Sequence, residues 1–224
     1  MSLFKVILNT VPRPWLIKAS YIVRPIIALY LKGNTYTDPI DGKSFRKFLP
    51  YGYGNQRKKL KVLHIAPEQC FLDLFKKQKN LEYITSDLES PIADVKADIC
   101  DLPFKENEFD VVFCNHVLEH IPDDTKAMQE LYRVMKKGGF GVFQIPQDLS
   151  RDVTFEDNSI TDKDERAKIF GQYDHVRVYG KDYFNKLRSV GFKVDEVDYT
   201  KKIDAKQIER FCLMKGEILP ICYK

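Results

Sequence analysis

Short apolar runs alternate with amphipathic stretches along the chain from Lys61 onward. The apolar runs are typical of buried strands, and the stretches between them carry apolar residues at helical spacing. A strand followed by a helix, repeated several times, predicts an α/β fold with a mostly parallel sheet and helices on both faces. The predicted strands are residues 61–66, 81–87, 93–99, 109–115, 140–146, 193–199 and 217–224. The predicted helices are residues 68–78, 123–137, 181–192 and 205–213.

The predicted helix over residues 123–137 has an apolar stripe. Ala127 and Leu131 recur on one face with their apolar neighbours, and we predict that this face belongs to the core. Gly138 and Gly139 follow, and glycine is the usual residue in the left-handed turn that ends a helix. We therefore predict that the helix stops at the glycine pair.

The first 60 residues differ in charge from the rest of the chain. Residues 1–61 carry twelve Lys or Arg and two Asp, a balance of +10, whereas the remainder is −6. Residues 1–32 hold apolar clusters broken by prolines, which predict short amphipathic helices, and residues 33–60 are a connector rich in turn formers. These helices suit an anionic membrane surface, and equally docking on their own domain or in a homodimer. We predict an N-terminal extension over 1–60 and a main domain over 61–224.

Composition excludes several classes of protein. The longest run without Asp, Glu, Lys or Arg is ten residues, 138–147, which is too short to span a membrane. Because no compact apolar core with a small-residue cleavage site begins the chain, we expect a cytoplasmic protein, with membrane association left open. The five cysteines include no C-x-x-C pair, so neither a disulfide framework nor a structural zinc site is expected.

Polar residues follow the first four predicted strands. In an open parallel sheet, ligands bind beyond the carboxyl ends of the strands, near the point where the strand order reverses. Asp87 lies 21 residues beyond Ala66, and a carboxylate at this spacing can accept hydrogen bonds from the two hydroxyls of a ribose. The alternative is that Asp87 caps a helix or a turn. The candidate residues at these strand ends are His64, Ala66, Pro67, Glu68, Asp87, Leu88, Asp98, Ile99, Asn115 and His116.

Four short motifs carry a resemblance to a known family. They are D-x-x-x-L-P-F from Asp98, F-D-V-V from Phe109, H-V-L-E-H from His116 and L-x-R-V-x-K-x-G-G from Leu131. In this order and spacing, residues 61–224 resemble class I S-adenosylmethionine-dependent methyltransferases of the methyltransferase-11 type. The resemblance implies a Rossmann-like, seven-stranded sheet with a reversed final hairpin, and S-adenosylmethionine as the cofactor.

The resemblance also implies roles for the strand-end residues. Asp87 would bind the ribose hydroxyls, Asp98 and the Ile99 amide would bind adenine, and Asn115 and His116 would lie beside the methionine portion. The expected activity is methyl transfer to a small-molecule or lipid-like acceptor. We expect all ten strand-end residues to border the cofactor.

The first loop departs from the family. V-L-D-x-G-x-G-x-G is replaced by V-L-H-I-A-P-E-Q-C, so that Ala66, Glu68 and Cys70 stand in place of the three glycines. Glycines allow positive φ, and we therefore expect a loop path without such positions, with Glu68 pointing towards the pocket. The L-H-I-A-P-E run is similar to that of a bacterial subgroup, which favours an alternative loop. The other interpretation is a pseudo-enzyme, a binding or scaffold protein that keeps the fold without turnover.

Two further motifs bear on metal binding. That subgroup carries C-P-x-C-G, but here Asp38 and Asp41 stand at the cysteine positions, so zinc is not expected there. The H-V-L-E-H run spells H-x-x-E-H, the motif of inverted zinc hydrolases, yet it follows a predicted strand and is soon broken by Pro122. We predict no metal, and local hydrogen bonds for Glu119 and His120.

The segment over residues 147–180 is the predicted lid or acceptor segment. Within it, His175 is the candidate general base, because the unperturbed pKa of histidine lies near neutrality. Tyr173 and Arg177 are candidates for binding the acceptor, the latter through an anionic group. Equally, His175 and Arg177 could pair with the many acids of this segment and order it. Because the main domain and this segment are acidic, we expect no nucleic-acid partner.

Overall fold

The computed structural model describes residues 59–202, 204–210, 213 and 215–224. Four predictions lie outside the described residues. They are the helices of residues 1–32, the connector up to residue 58, the turn at Asp38 and Asp41, and the choice between membrane contact and a homodimer. Among the described helices, none has the length and apolar character needed to cross a membrane.

Seven strands form one sheet, and two more form a small ribbon. The seven are Leu60–Ile65 (β1), Leu81–Asp87 (β2), Val95–Lys96 (β3), Phe109–Cys114 (β4), Met135–Val142 (β5), Lys193–Val197 (β8) and Leu219–Tyr223 (β9). Phe155–Glu156 (β6) and Arg177–Val178 (β7) pair antiparallel in the ribbon. The helices are Gln69–Lys76 (α1), Asp124–Val134 (α2), Lys163–Phe170 (α3), Tyr183–Val190 (α4) and Ala205–Arg210 (α5), with short 3-10 turns at Leu118–His120 and Tyr199–Lys202.

The sheet has the order β3-β2-β1-β4-β5-β9-β8. Strand β4 pairs in parallel with β1 and with β5, and β2 pairs in parallel with β3. Strand β9 runs antiparallel to both β5 and β8, so the expected reversed final hairpin is confirmed. Because the chain moves outwards from β1 to β3 and then returns to β4, the strand order reverses between β1 and β4. The Rossmann-like, seven-stranded fold class is therefore confirmed. In open sheets of this kind, ligands bind at the carboxyl ends of the strands where the order reverses.

The core lies around the central strand and the helix that follows it. Every residue of β4 is buried, as expected for a strand with neighbours on both sides and cover on its faces. The apolar stripe of α2 is buried too, with Ala127 and Leu131 fully inaccessible to solvent, which confirms these positions as core. Each fully buried side chain of leucine size stabilises the fold by about 1.5–3 kcal/mol.

The predicted helix stop at the glycine pair is wrong. Helix α2 ends at Val134, and Met135 is already extended with φ −70° and ψ 141°. The pairing of β4 with β5 then shifts in register, and Gly138 within β5 has φ 77°. At Gly139 a Cβ atom would lie 2.9 Å from the Asp110 carbonyl oxygen, so a side chain would collide with β4. The glycines therefore do not cap the helix. They allow an irregularity in β5 at which the backbones of β4 and β5 approach closely.

The chain divides into two compact units. The larger contains residues 60–67, 82–197 and 219–224, and with them the ribbon, helices α2 to α4 and the sheet apart from Leu81. The described parts of 68–81 and 198–218 belong to the other unit, which contains α1 and α5. The site described below lies in the larger unit.

Candidate functional site

Two strained turns lie at the edge where the strand order reverses. Ala66 directly follows β1 with φ 47°, and His116 follows β4 with φ 54°. The Ala66 N–H donates to the Ser86 carbonyl oxygen at 2.8 Å, and the His116 N–H donates to the Gln144 carbonyl oxygen at 2.8 Å. Strand β2 therefore holds the first turn in place, and the segment just after β5 holds the second. The left-handed region costs a residue with a side chain about 1–2 kcal/mol, and such strain concentrates at functional sites.

The expected path of the first loop needs correction. We expected the loss of the three glycines to abolish positive φ, but Ala66 adopts it without glycine. The hydrogen bond to Ser86 on β2 fixes that conformation. Glu68 is the N-cap residue of α1 with extended backbone, φ −68° and ψ 129°, and it belongs to the other unit, so its role towards a pocket stays a prediction. Pro67 is buried at the end of the larger unit's loop.

His64 is a core residue of β1. It is fully buried, its Nδ1 lies 2.7 Å from the Tyr83 hydroxyl oxygen, and its ring meets the edge of Phe113 at 5.7 Å between centroids. The imidazole therefore packs between β2 and β4 within the sheet. A direct contact of His64 with a cofactor stays a prediction.

Asp87 acts as a turn cap, and its contact with a ribose stays a prediction. Its Oδ1 accepts hydrogen bonds from the Glu89 N–H at 2.8 Å and the Ser90 N–H at 2.7 Å, which makes a capped turn after β2. Within the described residues, Oδ2 takes no hydrogen bond. Leu88, next along the chain, leaves 64% of its surface exposed. One carboxylate oxygen and an apolar surface are thus presented side by side.

At the third and fourth strand ends, Asp98 forms a turn, whereas Ile99 and Asn115 are buried in the core. Asp98 is exposed, and its Oδ1 accepts a hydrogen bond from the Cys100 N–H at 2.8 Å. Burial and the charge of Asp98 raise the pKa of the Cys100 thiol to about 11, so this cysteine is not a ready nucleophile. Ile99 and Asn115 are both buried.

Glu119 is a buried carboxylate next to two imidazoles. Only 1% of its side chain is exposed, and its Oε1 lies 3.4 Å from His116 Nδ1 and 4.0 Å from His120 Nε2. Burial opposes the charge, but the two imidazoles lower the pKa of Glu119 below its ordinary value. The predicted local contact therefore forms with His116, whereas the distance to His120 is too long for a hydrogen bond.

The lid segment brings His175 to this carboxylate. The His120 and His175 rings meet edge to face with centroids 4.7 Å apart. His175 is nearly buried, and its burial lowers its pKa, so its ring is neutral near pH 7. One ligand atom each from Glu119, His120 and His175 lie within 4.8 Å of one another. The sequence placed Glu119 and His120 on one turn but gave no sign that a residue 55 positions away completes the group.

Arg177 is buried and bonded to the backbone, and its contact with an anionic acceptor stays a prediction. Only 1% of its side chain is exposed. Its guanidinium donates to the carbonyl oxygens of Leu118 at 2.9 Å, of Ile121, and of Pro122 at 2.8 Å. Its Nε also donates to Glu156 Oε2 at 3.0 Å. The alternative, in which Arg177 pairs with an acid and orders the segment, is the one that the structure supports. Tyr173 is half-buried, with Lys163 Nζ 5.7 Å from its ring centroid, and its contact with an acceptor stays a prediction.

Sequence reasoning missed a second buried group behind Arg177. Asp124 Oδ2 accepts a hydrogen bond from the Tyr179 hydroxyl at 2.8 Å and pairs with Lys186 Nζ at 2.8 Å. Arg177 Nε lies 3.7 Å from the same oxygen. Asp124 therefore joins α2, α4 and the lid segment. The one signal in the sequence was a charged residue at the start of an apolar helix, which is common and uninformative.

Comparisons with known proteins agree with this architecture. Residues 51–143 match the family model of a methyltransferase domain. Of the curated relatives, an uncharacterized protein, MJ0638, of Methanocaldococcus jannaschii is 33% identical over 134 residues, which are 56% of this chain and 58% of that protein. A 2-phytyl-1,4-naphtoquinone methyltransferase of Nostoc punctiforme is 32% identical over 116 residues, 46% of this chain and 50% of the relative. The chain thus spans about half the length of these relatives.

Solved structures share the fold. A chain of the complex between the Haloferax volcanii Trm112 methyltransferase activator and its candidate methyltransferase aligns with 92% of this chain and 96% of its own length, at a TM-score of 0.50 and 12% identity. At that identity the likeness concerns the fold alone. The family match thus covers residues 51–143, and the likeness in fold covers most of the chain.

Proposed function

We propose that this protein transfers a methyl group from S-adenosylmethionine to a small-molecule or lipid-like acceptor. The observation that carries the proposal is the pair of strained turns after β1 and β4, because they flank the point of strand reversal where open α/β sheets bind ligands. The methyltransferase-domain match over residues 51–143 supports the same activity. Relatives named 2-phytyl-1,4-naphtoquinone methyltransferase and demethylmenaquinone methyltransferase support a small acceptor.

The residues of the larger unit suit the parts of this cofactor. Oδ2 of Asp87 takes no hydrogen bond within the described residues and would accept from the ribose hydroxyls, while the exposed Leu88 would lie against the adenosyl group. Asp98 and Ile99 would border the adenine, and Asn115 and His116 the methionine portion. A carboxylate acceptor is worth more than a neutral one here, since hydrogen bonds to charged groups contribute about 1.5–3 kcal/mol.

S-adenosylmethionine supplies an electrophilic methyl group on a sulfonium sulfur. The contribution of the chain would be to orient the acceptor in line with that methyl group and to exclude water. His175 stays the predicted general base for an acceptor proton. Since its Nδ1 lies 3.2 Å from the Phe170 carbonyl oxygen, only Nε2 could serve.

Calorimetric titration with S-adenosylmethionine and S-adenosylhomocysteine tests the proposal directly. Asp87→Asn is the sharpest variant, because the amide oxygen can still accept from the Glu89 and Ser90 N–H groups while the second carboxylate oxygen is lost. We expect affinity to fall by about tenfold to a hundredfold. Asp157→Asn is the matched control, since Asp157 makes the same kind of turn with Ser159 but follows a strand of the two-stranded ribbon and not of the main sheet.

Three results bear on the alternatives. Equal affinities of the wild type and Asp87→Asn would remove Asp87 from the cofactor site. Absence of binding of either compound to the wild type would favour the scaffold interpretation. Binding of both compounds without turnover on quinone-type acceptors would leave the fold and cofactor in place and redirect the search for the acceptor.

A further inference from the structure

The buried carboxylate of Glu119 lacks a full set of partners. Its Oε2 is inaccessible to solvent and accepts no hydrogen bond from the described residues. An unsatisfied buried carboxylate costs several kcal/mol unless a cation or donors compensate for it. Native proteins rarely retain such an atom without a ligand, a water molecule or an ion to satisfy it.

Two imidazoles face the same carboxylate with the right atoms. His120 Nδ1 lies 3.3 Å from the Asp174 carbonyl oxygen, and His175 Nδ1 lies 3.2 Å from the Phe170 carbonyl oxygen. In metal sites, a ligating histidine usually donates its other ring N–H to a carbonyl or carboxylate oxygen, which fixes the tautomer. Both rings therefore have Nδ1 held by backbone and Nε2 available for an ion.

The spacing suits an ion between the three side chains. His120 Nε2 and Glu119 Oε1 are 4.0 Å apart, too far for a hydrogen bond, and one ligand atom from each of the three residues lie within 4.8 Å of one another. Nitrogen and oxygen ligands bind Zn²⁺ at about 2.0–2.2 Å and so lie about 3–4 Å apart around it. A contraction of about 1 Å, within reach of side-chain rotation, would close the group.

The backbone around the group is rigid. Arg177 holds the carbonyl oxygens of Leu118 and Ile121, on either side of the Glu119–His120 pair. The Val176 N–H, next to His175, donates to the Glu119 carbonyl oxygen at 3.0 Å. The 3-10 turn and the lid segment are thus tied together at the position of the three side chains, as a preorganised ligand set requires.

We propose that Glu119, His120 and His175 bind a divalent transition-metal ion. Two imidazoles and one carboxylate suit Zn²⁺, Fe²⁺ or Co²⁺ and leave open coordination positions. If the proposed methyl transfer holds, the ion would lower the pKa of an acceptor hydroxyl bound at such a position, and a water molecule would accept the proton. An imidazole that binds a cation through Nε2 cannot also accept a proton there, so the proposal excludes the general-base role predicted for His175.

The test uses Co²⁺ with the chain of 224 residues after removal of metals by a chelator, because Zn²⁺ has a filled d shell and no visible spectrum. We expect one equivalent of Co²⁺ to bind, with visible bands of nitrogen and oxygen ligation, and Zn²⁺ to displace it. Neither S-adenosylmethionine nor an acceptor is present, so the result is independent of the proposed methyl transfer.

Three variants and one control decide the assignment. Glu119→Gln, His120→Gln and His175→Gln should each weaken Co²⁺ binding at least about 100-fold, since loss of a supporting residue alone costs 10–100-fold. Asp157→Asn should bind as the wild type does. Circular dichroism checks that each variant folds. If a histidine variant does not fold, the nearly isosteric Glu119→Gln still decides the test. Failure of the wild type to bind Co²⁺, unchanged affinity in folded variants, or a sulfur-to-cobalt charge-transfer band would overturn the proposal.

Discussion

Replacement of Arg177 by methionine tests whether this residue holds the lid segment in place. The guanidinium donates to three backbone carbonyl oxygens of the turn after β4 and to Glu156, and it lies 3.7 Å from Asp124. Methionine keeps much of the apolar volume of the side chain but supplies no donor. The variant therefore removes the hydrogen bonds and the charge with little change in packing.

The expected loss of stability is large. Removal of one member of a buried ion pair costs about 3–5 kcal/mol, and each buried carbonyl left without a donor costs about 1–3 kcal/mol. These losses are not additive, and partial rehydration of the carbonyl groups reduces them. We therefore expect the free energy of unfolding to fall by about 3–5 kcal/mol. For a chain of this size, that corresponds to a drop of about 6–20 °C in Tm.

Urea unfolding followed by circular dichroism measures the change, with hydrogen exchange as a local readout. We expect faster exchange in the Leu118–His120 turn and in the ribbon that contains Arg177. Arg151→Met is the matched control, because Arg151 lies in the same segment with 47% of its side chain exposed. Among the described residues it forms an ion pair with Asp148 and lies 5.7 Å from the ring centroid of Phe155. Exposed ion pairs contribute about 0–1 kcal/mol.

Little difference between the two variants would refute the reasoning. If Arg177→Met unfolded within about 1 kcal/mol of the wild type, the buried donors would not carry the stability assigned to them. A stable variant with weakened acceptor binding would restore the original expectation that Arg177 holds an anionic group.

Two further predictions concern the strained turn and the buried acid. Ala66→Gly should leave the free energy of unfolding unchanged or raise it by up to about 1 kcal/mol, because glycine adopts φ 47° without strain. Ala66→Val should lower the free energy of unfolding. Urea unfolding measures both changes. Burial opposes the charge of Asp124, but Lys186, Arg177 and Tyr179 lower its pKa in the folded state. Its ion pairs therefore stabilise the protein fully above the unfolded pKa of about 3.9, and this contribution disappears as the pH falls through the lower folded value. Asp124→Asn should be less stable near neutrality and lose less stability in acid; parallel curves for both proteins would contradict this.

The sequence alone determined the framework of the protein. Short apolar runs located the strands, and apolar residues at helical spacing located the buried face of α2. Both patterns depend on residues close together in the sequence, so they can be recognised without the tertiary structure. The position of Asp87 at the end of a strand also followed from the sequence. The two interpretations of this residue, turn cap and open acceptor, need not exclude each other, since a carboxylate has two oxygens.

The tertiary structure decided how distant residues meet. No local pattern indicated that Arg177 would donate to Leu118, 59 residues earlier, or that His175 would complete a group with Glu119. The same applies to the glycine pair: a helix end and a strand irregularity both favour glycine, and only the approach of Asp110 in the neighbouring strand selected the second. From the sequence alone, a charged or polar side chain that faces solvent cannot be distinguished from one that forms an ion pair or binds a ligand. Their partners are set by the path of the backbone between them, and that path exists only once the core is packed.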